Sequence, residues 1–276
     1  MKERNGLVQK LLAAPYLVWM AFFIVVPMIM VAYFAFFGDD GKFTTEYIKG
    51  VGQYGGIFFR SVWMSALATV ICLAIAYPVA FILSRMDTKV QSTMLMIVML
   101  PMWMNFLLRT YAWMTLLGNE GIVNTIFGFF GLGPFKMLNT QGAVVLGMVY
   151  NYLPYMILPI YSVLVKIDNS VLEAAADLGC NRIGTMLKVV VPLSLPGILS
   201  GITMVFVPAI STFIISRMLG GGGNLLIGDL IEMQFLGTAY NPNLGAAISL
   251  ILMVIVLIIM AVMNRISPPD DDRVLL

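Results

Sequence analysis

Ser170-Val171-Leu172-Glu173-Ala174-Ala175-Ala176-Asp177-Leu178-Gly179 is a short polar island between two strongly apolar segments, roughly 142–165 and 195–216. Ser170 followed three residues later by Glu173 has the spacing of a capping box, in which each side chain bonds the other residue's backbone N–H, so a helix is expected to start here. Ala174, Ala175 and Ala176 favour helix and leave a smooth face of small side chains. Gly179 is where such a helix should end, because glycine adopts the left-handed conformation without a Cβ penalty. Residues 181–190 predict a second short helix, with Arg182 and Lys188 on a mostly aliphatic body, before Val191-Pro192. A rigid helix-turn-helix knob between two membrane-length segments is suited to docking a partner. The plainer reading is an ordinary structured loop.

The rest of the chain supports a membrane setting. Hydrophobic residues are 60% of the 276 and charged residues 11%, with a mean hydropathy of +0.94. A soluble domain is typically about half apolar and a quarter charged. A bilayer core needs about 20 apolar residues per helix, and six such segments stand out, at roughly 14–37, 61–84, 92–117, 142–165, 195–216 and 244–263. They are continuous rather than alternating, which argues against a barrel. The expected fold is all-α, with residues 1–276 forming one transmembrane domain and the segment 166–194 protruding from it.

Charge orients the bundle. With both termini inside, the inner pieces hold Lys2, Arg4, Lys10, Arg85, Lys89, Lys166, Arg182, Lys188, Arg265 and Arg273, and the outer pieces hold Lys42, Lys49, Arg60, Lys136 and Arg217. Ten against five satisfies the positive-inside rule and places Glu173 in the cytoplasm. The first apolar run is too long for a signal peptide and shows no small-residue cleavage site, so it reads as a retained helix. Among the connections, 38–60 reads as a polar outer loop and 85–91 as a tight inner turn. Residues 118–141 allow a short interfacial helix, and Asn224–Glu232 an amphipathic or re-entrant one. The tail Pro268-Pro269-Asp270-Asp271-Asp272 is expected to be disordered.

Several chemistries lack their residues. There is no histidine, which removes His-dependent triads and His-containing zinc sites. Cys72 and Cys180 are too few for a zinc cage, and their separate locations predict no disulfide. The run Gly220–Gly223 lacks the Gly-Lys-Ser/Thr ending of a phosphate-binding loop. ATP hydrolysis is therefore not expected in this chain, and a net charge of +2 points to no nucleic-acid partner.

Two features bear on movement and solute. Pro27, Pro78, Pro101, Pro154, Pro159, Pro196 and Pro208 lie in or beside five of the six segments, where each removes a backbone hydrogen bond and favours a kink. Gly197 and Gly201 form a small-xxx-small pair, suited equally to packing within the chain and between subunits. Arg109 falls within the third segment, flanked by Trp103, Asn105, Tyr111 and Trp113. A charge there costs roughly 2.5–3.5 kcal/mol on insertion scales, unless it snorkels to the headgroups or pairs with Asp229 or Glu232. Tyr150, Tyr152, Tyr155 and Tyr161 crowd the fourth segment. Such aromatics are either belt anchors or cavity walls that favour an organic cation through cation–π contacts.

Glu173-Ala174-Ala175, three residues, Gly179, nine residues, then Val189 and Val191 before Pro192 resembles the EAA loop of ABC importer permeases, with valine where that family has Ile and Leu. Leu100-Pro101-Met102-Trp103 with Asn105, Leu108-Arg109-Thr110-Tyr111, and Asn224-Leu225-Leu226-Ile227-Gly228 with Gln234-Phe235-Leu236 resemble the spermidine/putrescine permease subfamily. Relatives for iron, thiamine or other solutes share the architecture.

The resemblance implies one transmembrane subunit of a type I importer in the bacterial inner membrane. Its implied partners are a second permease chain, two ATP-binding subunits that hold ATP and magnesium, an extracytoplasmic solute-binding protein and membrane lipid. Glu173, Ala174, Ala175, Asp177, Gly179 and Arg182 would couple the chain to the ATPase. Trp103, Asn105, Arg109, Tyr111, Trp113, Tyr150, Tyr155, Asp229 and Glu232 are candidates for the solute pathway. A lone ion-coupled carrier would place acidic residues mid-membrane and show repeated halves; this chain does neither. A non-transporting scaffold would need no kinked helices.

Overall fold

The structure is a computed structural model and describes residues 15–38, 40–237 and 239–266. The basic residues at 2, 4 and 10 and the proline-acidic tail at 268–272 lie outside the described residues. Among the described residues the regular structure is helical, apart from an isolated bridge between Phe37 and Phe43. In chain order the helices are α1 (Pro15–Phe36) and α2 (Glu46–Ser84), α3 (Thr88–Trp103), α4 (Phe106–Leu116), α5 (Ile122–Phe129), α6 (Gln141–Leu164) and α7 (Asn169–Asp177). There follow α8 (Arg182–Leu193), α9 (Leu195–Ser211), α10 (Ile214–Gly220), α11 (Ile227–Leu236) and α12 (Pro242–Ile266). Of these, α1, α2, α6 and α12 are each long and apolar enough to cross a bilayer, and counting each bent pair α3–α4 and α8–α9 as one span makes six.

The chain divides into two compact units, Met1–Gly55 with Leu230–Ile255, and Gly56–Asp229 with Val256–Leu276. In the first, Asn243 Nδ2 donates to the Tyr47 hydroxyl at 3.3 Å, and Asn241 caps the last long helix by accepting from Leu244 N at 3.0 Å.

The second unit is organised by rows of residues four apart, which fall on one face of a helix. On α2 the row is Met64, Ala68, Cys72, Ala76 and Ala80; on α6 it is Met148, Tyr152, Met156, Ile160 and Leu164. Small residues on one side and long flexible ones on the other let ridge fill groove. The third row is on α9. A Cβ on Gly197 would lie 2.7 Å from the Pro159 carbonyl oxygen, and one on Gly201 would lie 2.7 Å from Met156 Sδ. The small-xxx-small pair thus serves contact within the chain.

Three expected boundaries differ. The second helix starts at Glu46 rather than 61, so much of the expected 38–60 loop is helical, through a 3-10 turn at Val51–Tyr54. The expected span 92–117 is broken: α3 and α4 meet at 88°. Met104 is extended there, and Asn105 starts a new helix by accepting from Leu107 N at 2.8 Å and Leu108 N at 3.4 Å. The expected span 195–216 stops at Ser211, three residues past Pro208, with Thr212 extended before α10. A 68° bend also separates α8 from α9, at Ser194 between Pro192 and Pro196.

Candidate functional site

The protrusion begins where α6 ends at Leu164. Its first helix is capped by Asp168, whose Oδ1 accepts from Ser170 N at 2.9 Å. The expected capping box is therefore two residues out of register. Ser170 lies inside the helix, because Asp168 outcompetes it for the first free donors. That bond to the Ser170 backbone also holds the exposed Asp168 carboxyl below the usual carboxylate range, with a smaller contribution from nearby Arg85.

The other end agrees with expectation. Gly179 has φ +81°, its N–H bonds the Ala176 carbonyl at 2.9 Å, and Cys180 N bonds the Ala175 carbonyl at 3.0 Å. This is a full Schellman motif, with both last-turn carbonyls satisfied. Asn181 then caps α8 by accepting from Gly184 N at 2.7 Å. The predicted 181–190 helix is present, but its second half, Met186–Val190, is wound as a π-helix.

Of the expected coupling residues, Glu173, Ala174, Asp177, Gly179 and Arg182 are exposed, whereas Ala175 is buried. Ala175 thus faces inward, and the outward face includes apolar residues not singled out from sequence: Leu178 is 86% exposed, Ile183 71% and Leu187 62%. The signal was available, since all three are large aliphatics within the predicted knob. Behind the two helices lies a cavity of about 320 Å³, lined by Phe81, Leu172, Ala176, Cys180, Met186 and Val190 among others.

The pathway candidates are only partly brought together. Trp113 and Tyr150 meet edge to face at 5.3 Å, and Tyr155 lies 6.5 Å from the Tyr152 ring. Tyr152 donates to the Pro208 carbonyl at 3.3 Å, at the end of α9. Arg109 is buried at 7% exposure, its guanidinium 5.9 Å from the Phe106 ring. It does not snorkel outward; its Nε and Nη1 are buried without a hydrogen-bond partner among the described residues. Trp103, Asn105 and Tyr111 are exposed, and Asn105 has a structural task as the α4 cap.

Asp229 and Glu232 both lie on α11, as the expected amphipathic or re-entrant segment implied. Asp229 is buried, and its Oδ2 accepts from Leu226 N at 2.8 Å, closing the helix start. Ser61 Oγ accepts the next donor, Ile227 N, at 2.9 Å. Glu232 is half-buried.

Membrane-length helices, two bent helix pairs and a capped knob between α6 and α9 make this a helical membrane chain with an exposed, rigid protrusion. The family model for the inner membrane component of binding-protein-dependent transport systems matches residues 73–268. The chain belongs to this family and is a multi-pass protein of the bacterial inner membrane. It is 38% identical over 275 residues, covering 96% of both chains, to the spermidine/putrescine transport system permease protein PotB of Haemophilus influenzae. It is 34% identical to PotB of Escherichia coli K12, over 90% of this chain and 94% of that one. It shares its fold, with a TM-score of 0.80, 17% identity and 96% of both chains covered, with a bacterial ABC transporter involved in alginate import.

Proposed function

We propose that this chain is a permease subunit of an ATP-driven polyamine importer, forming half of the translocation pathway. The observation that carries this reading is the match to spermidine/putrescine permeases along 96% of the chain, joined to an exposed knob fixed at both ends by caps. Both termini face the cytoplasm. There Glu173, Ala174, Asp177, Gly179 and Arg182, together with Leu178, Ile183 and Leu187, seat in one of two ATP-binding subunits, which hold ATP and magnesium. A second permease completes the cavity, and an extracytoplasmic binding protein delivers the solute. Closure of the ATPase pair pushes α7 and rocks the bundle outward-open, and hydrolysis resets it. Coupling of this kind is carried by elements with two discrete arrangements, and a doubly capped helix transmits a push without melting.

The aromatic residues Trp103, Tyr111, Trp113, Tyr150 and Tyr155 suit an organic cation, with Glu232 and Asp229 as counter-charges. Arg109 repels the cation if the pathway passes beside it, so it acts as a barrier rather than a ligand.

Glu173→Lys and Gly179→Asp leave membrane insertion intact and reduce co-purification of the ATPase. Normal uptake with full ATPase retention in both variants would refute docking at this knob. Spermidine uptake collapses on ATP depletion and survives an uncoupler; the reverse result identifies an ion-coupled carrier.

A further inference from the structure

The turn between α2 and α3 holds a basic residue that no feature of the docking surface uses. Arg85 follows the last residue of α2. Its Nη1 donates to the Ile167 carbonyl at 2.9 Å and to Asn169 Oδ1 at 2.7 Å. The two acceptors flank Asp168, the cap of α7, so one guanidinium grips the base of the knob on both sides. The Phe81 ring, one turn back on α2, lies 5.7 Å from the guanidinium carbon and restricts where it can swing.

The same turn is braced from its other side. Gln91 Nε2 donates to the Met86 carbonyl at 2.7 Å and the Ser84 carbonyl at 3.3 Å. Gln91 Oε1 in turn accepts from the Tyr161 hydroxyl of α6 at 2.9 Å. α3 leaves this turn and runs to the break at Met104–Asn105. A continuous chain of polar contacts and helix therefore leads from the knob to the pathway candidates.

We infer that Arg85 is a positioning residue that transmits displacement of the α7 knob to the α2–α3 turn, and so to the broken span beyond it. Two further observations fit this role. Arg85 Nε and Nη2 are buried and have no hydrogen-bond partner among the described residues. The residue between the two acceptors, Asp168, carries a carboxylate of opposite charge to Arg85. The grip thus has unused donors on a residue already bonded to both sides of Asp168, so a shift of α7 can exchange one bonded arrangement for another. Lysine offers a single charged point in place of a planar fork and reproduces the grip only in part.

This inference rests on the importer reading above. The test uses the assembled transporter, with its second permease, ATPase and binding protein, in proteoliposomes, and measures spermidine taken up per ATP hydrolysed. In Arg85→Gln the ATPase co-purifies as in wild type, while transport per ATP falls at least about fivefold, the lower end of usual coupling strengths. Arg85→Lys recovers part of the loss. Asn169→Leu, which removes one acceptor without changing charge, lowers the ratio less, and adding it to Arg85→Gln costs little more. An unchanged ratio in Arg85→Gln overturns the assignment, as does loss of ATPase co-purification in step with transport, which marks Arg85 as a residue needed only to fold the knob. A wild-type assembly whose uptake is indifferent to ATP overturns the importer reading and the inference together.

Discussion

The knob at 165–194 and the broken spans around Asn105 and Thr212 are both interruptions of membrane-length helix, built in different ways. The knob is closed by contacts local in sequence: Asp168 to Ser170, Gly179 to Ala176, Cys180 to Ala175 and Asn181 to Gly184. The break at Asn105 is likewise capped locally, but the end of α9 and the start of α11 draw on distant contacts. The end of α9 is held by Tyr152 from 56 positions away, and the start of α11 by Ser61 from 166 positions away. A docking element must keep its shape under load, and short-range caps supply that. A pathway must change shape, and contacts between separate helices can be exchanged as helices move.

The largest expected effect tests the packing that both regions share. Gly197→Leu places side-chain atoms against the Pro159 carbonyl and Ile160 Cα, backbone that cannot turn aside. Overpacking of this kind costs about 1–3 kcal/mol and should lower the midpoint of thermal unfolding in detergent and reduce expression. A midpoint equal to wild type would show that α9 does not lie against α6 as described.

Next comes Asn105→Ala, which removes the cap of α4 at a cost of about 1 kcal/mol. Uptake should fall while ATPase co-purification stays at the wild-type level, separating the broken span from the knob. Parallel losses of both would erase that distinction.

Asp168→Ala is the matching change in the knob. Because the folded carboxyl is held below its ordinary range, its contribution is complete above the ordinary aspartate pKa of about 3.9 and is lost as pH falls through the lower folded value. Hydrogen exchange at the Ser170 amide should therefore stay protected in the wild type down to about pH 4, after allowing for the intrinsic rate. It should lose protection at every pH in Asp168→Ala, whereas Asp168→Asn keeps an acceptor and stays protected without the acid dependence. Protection in Asp168→Ala equal to wild type would assign the cap elsewhere.

The smallest effect is Ser170→Ala. The serine lies inside the helix and caps nothing, so the change should stay within about 0.5 kcal/mol and leave uptake normal. A loss as large as that of Asp168→Ala would restore the Ser170–Glu173 capping box.

The knob and the breaks also differ in how far local sequence specifies them. The knob's existence, its end at Gly179 and its second helix were legible because each depends on residues within a few positions of one another. The cap was misplaced by two residues because Asp168 and Ser170 are both good caps and local spacing favoured the wrong one. The apolar rim Leu178, Ile183 and Leu187 was visible in the sequence, but its exposure was not. Arg85 was legible only as part of a basic turn, since its acceptors Ile167 and Asn169 lie more than eighty positions away.

Composition and the length of continuous apolar runs alone determined that this is a helical membrane protein, because a long continuous apolar segment satisfies its backbone in a bilayer only as a helix. The spacing from Glu173 to Pro192 determined where the knob lies. Only tertiary structure decided that the third and fifth segments break, that Arg109 is buried and that Gly197 and Gly201 face Pro159 and Met156. A proline permits a kink, but whether the freed backbone groups find partners, and so whether a helix bends, breaks or stays straight, is set by side chains that arrive from other helices.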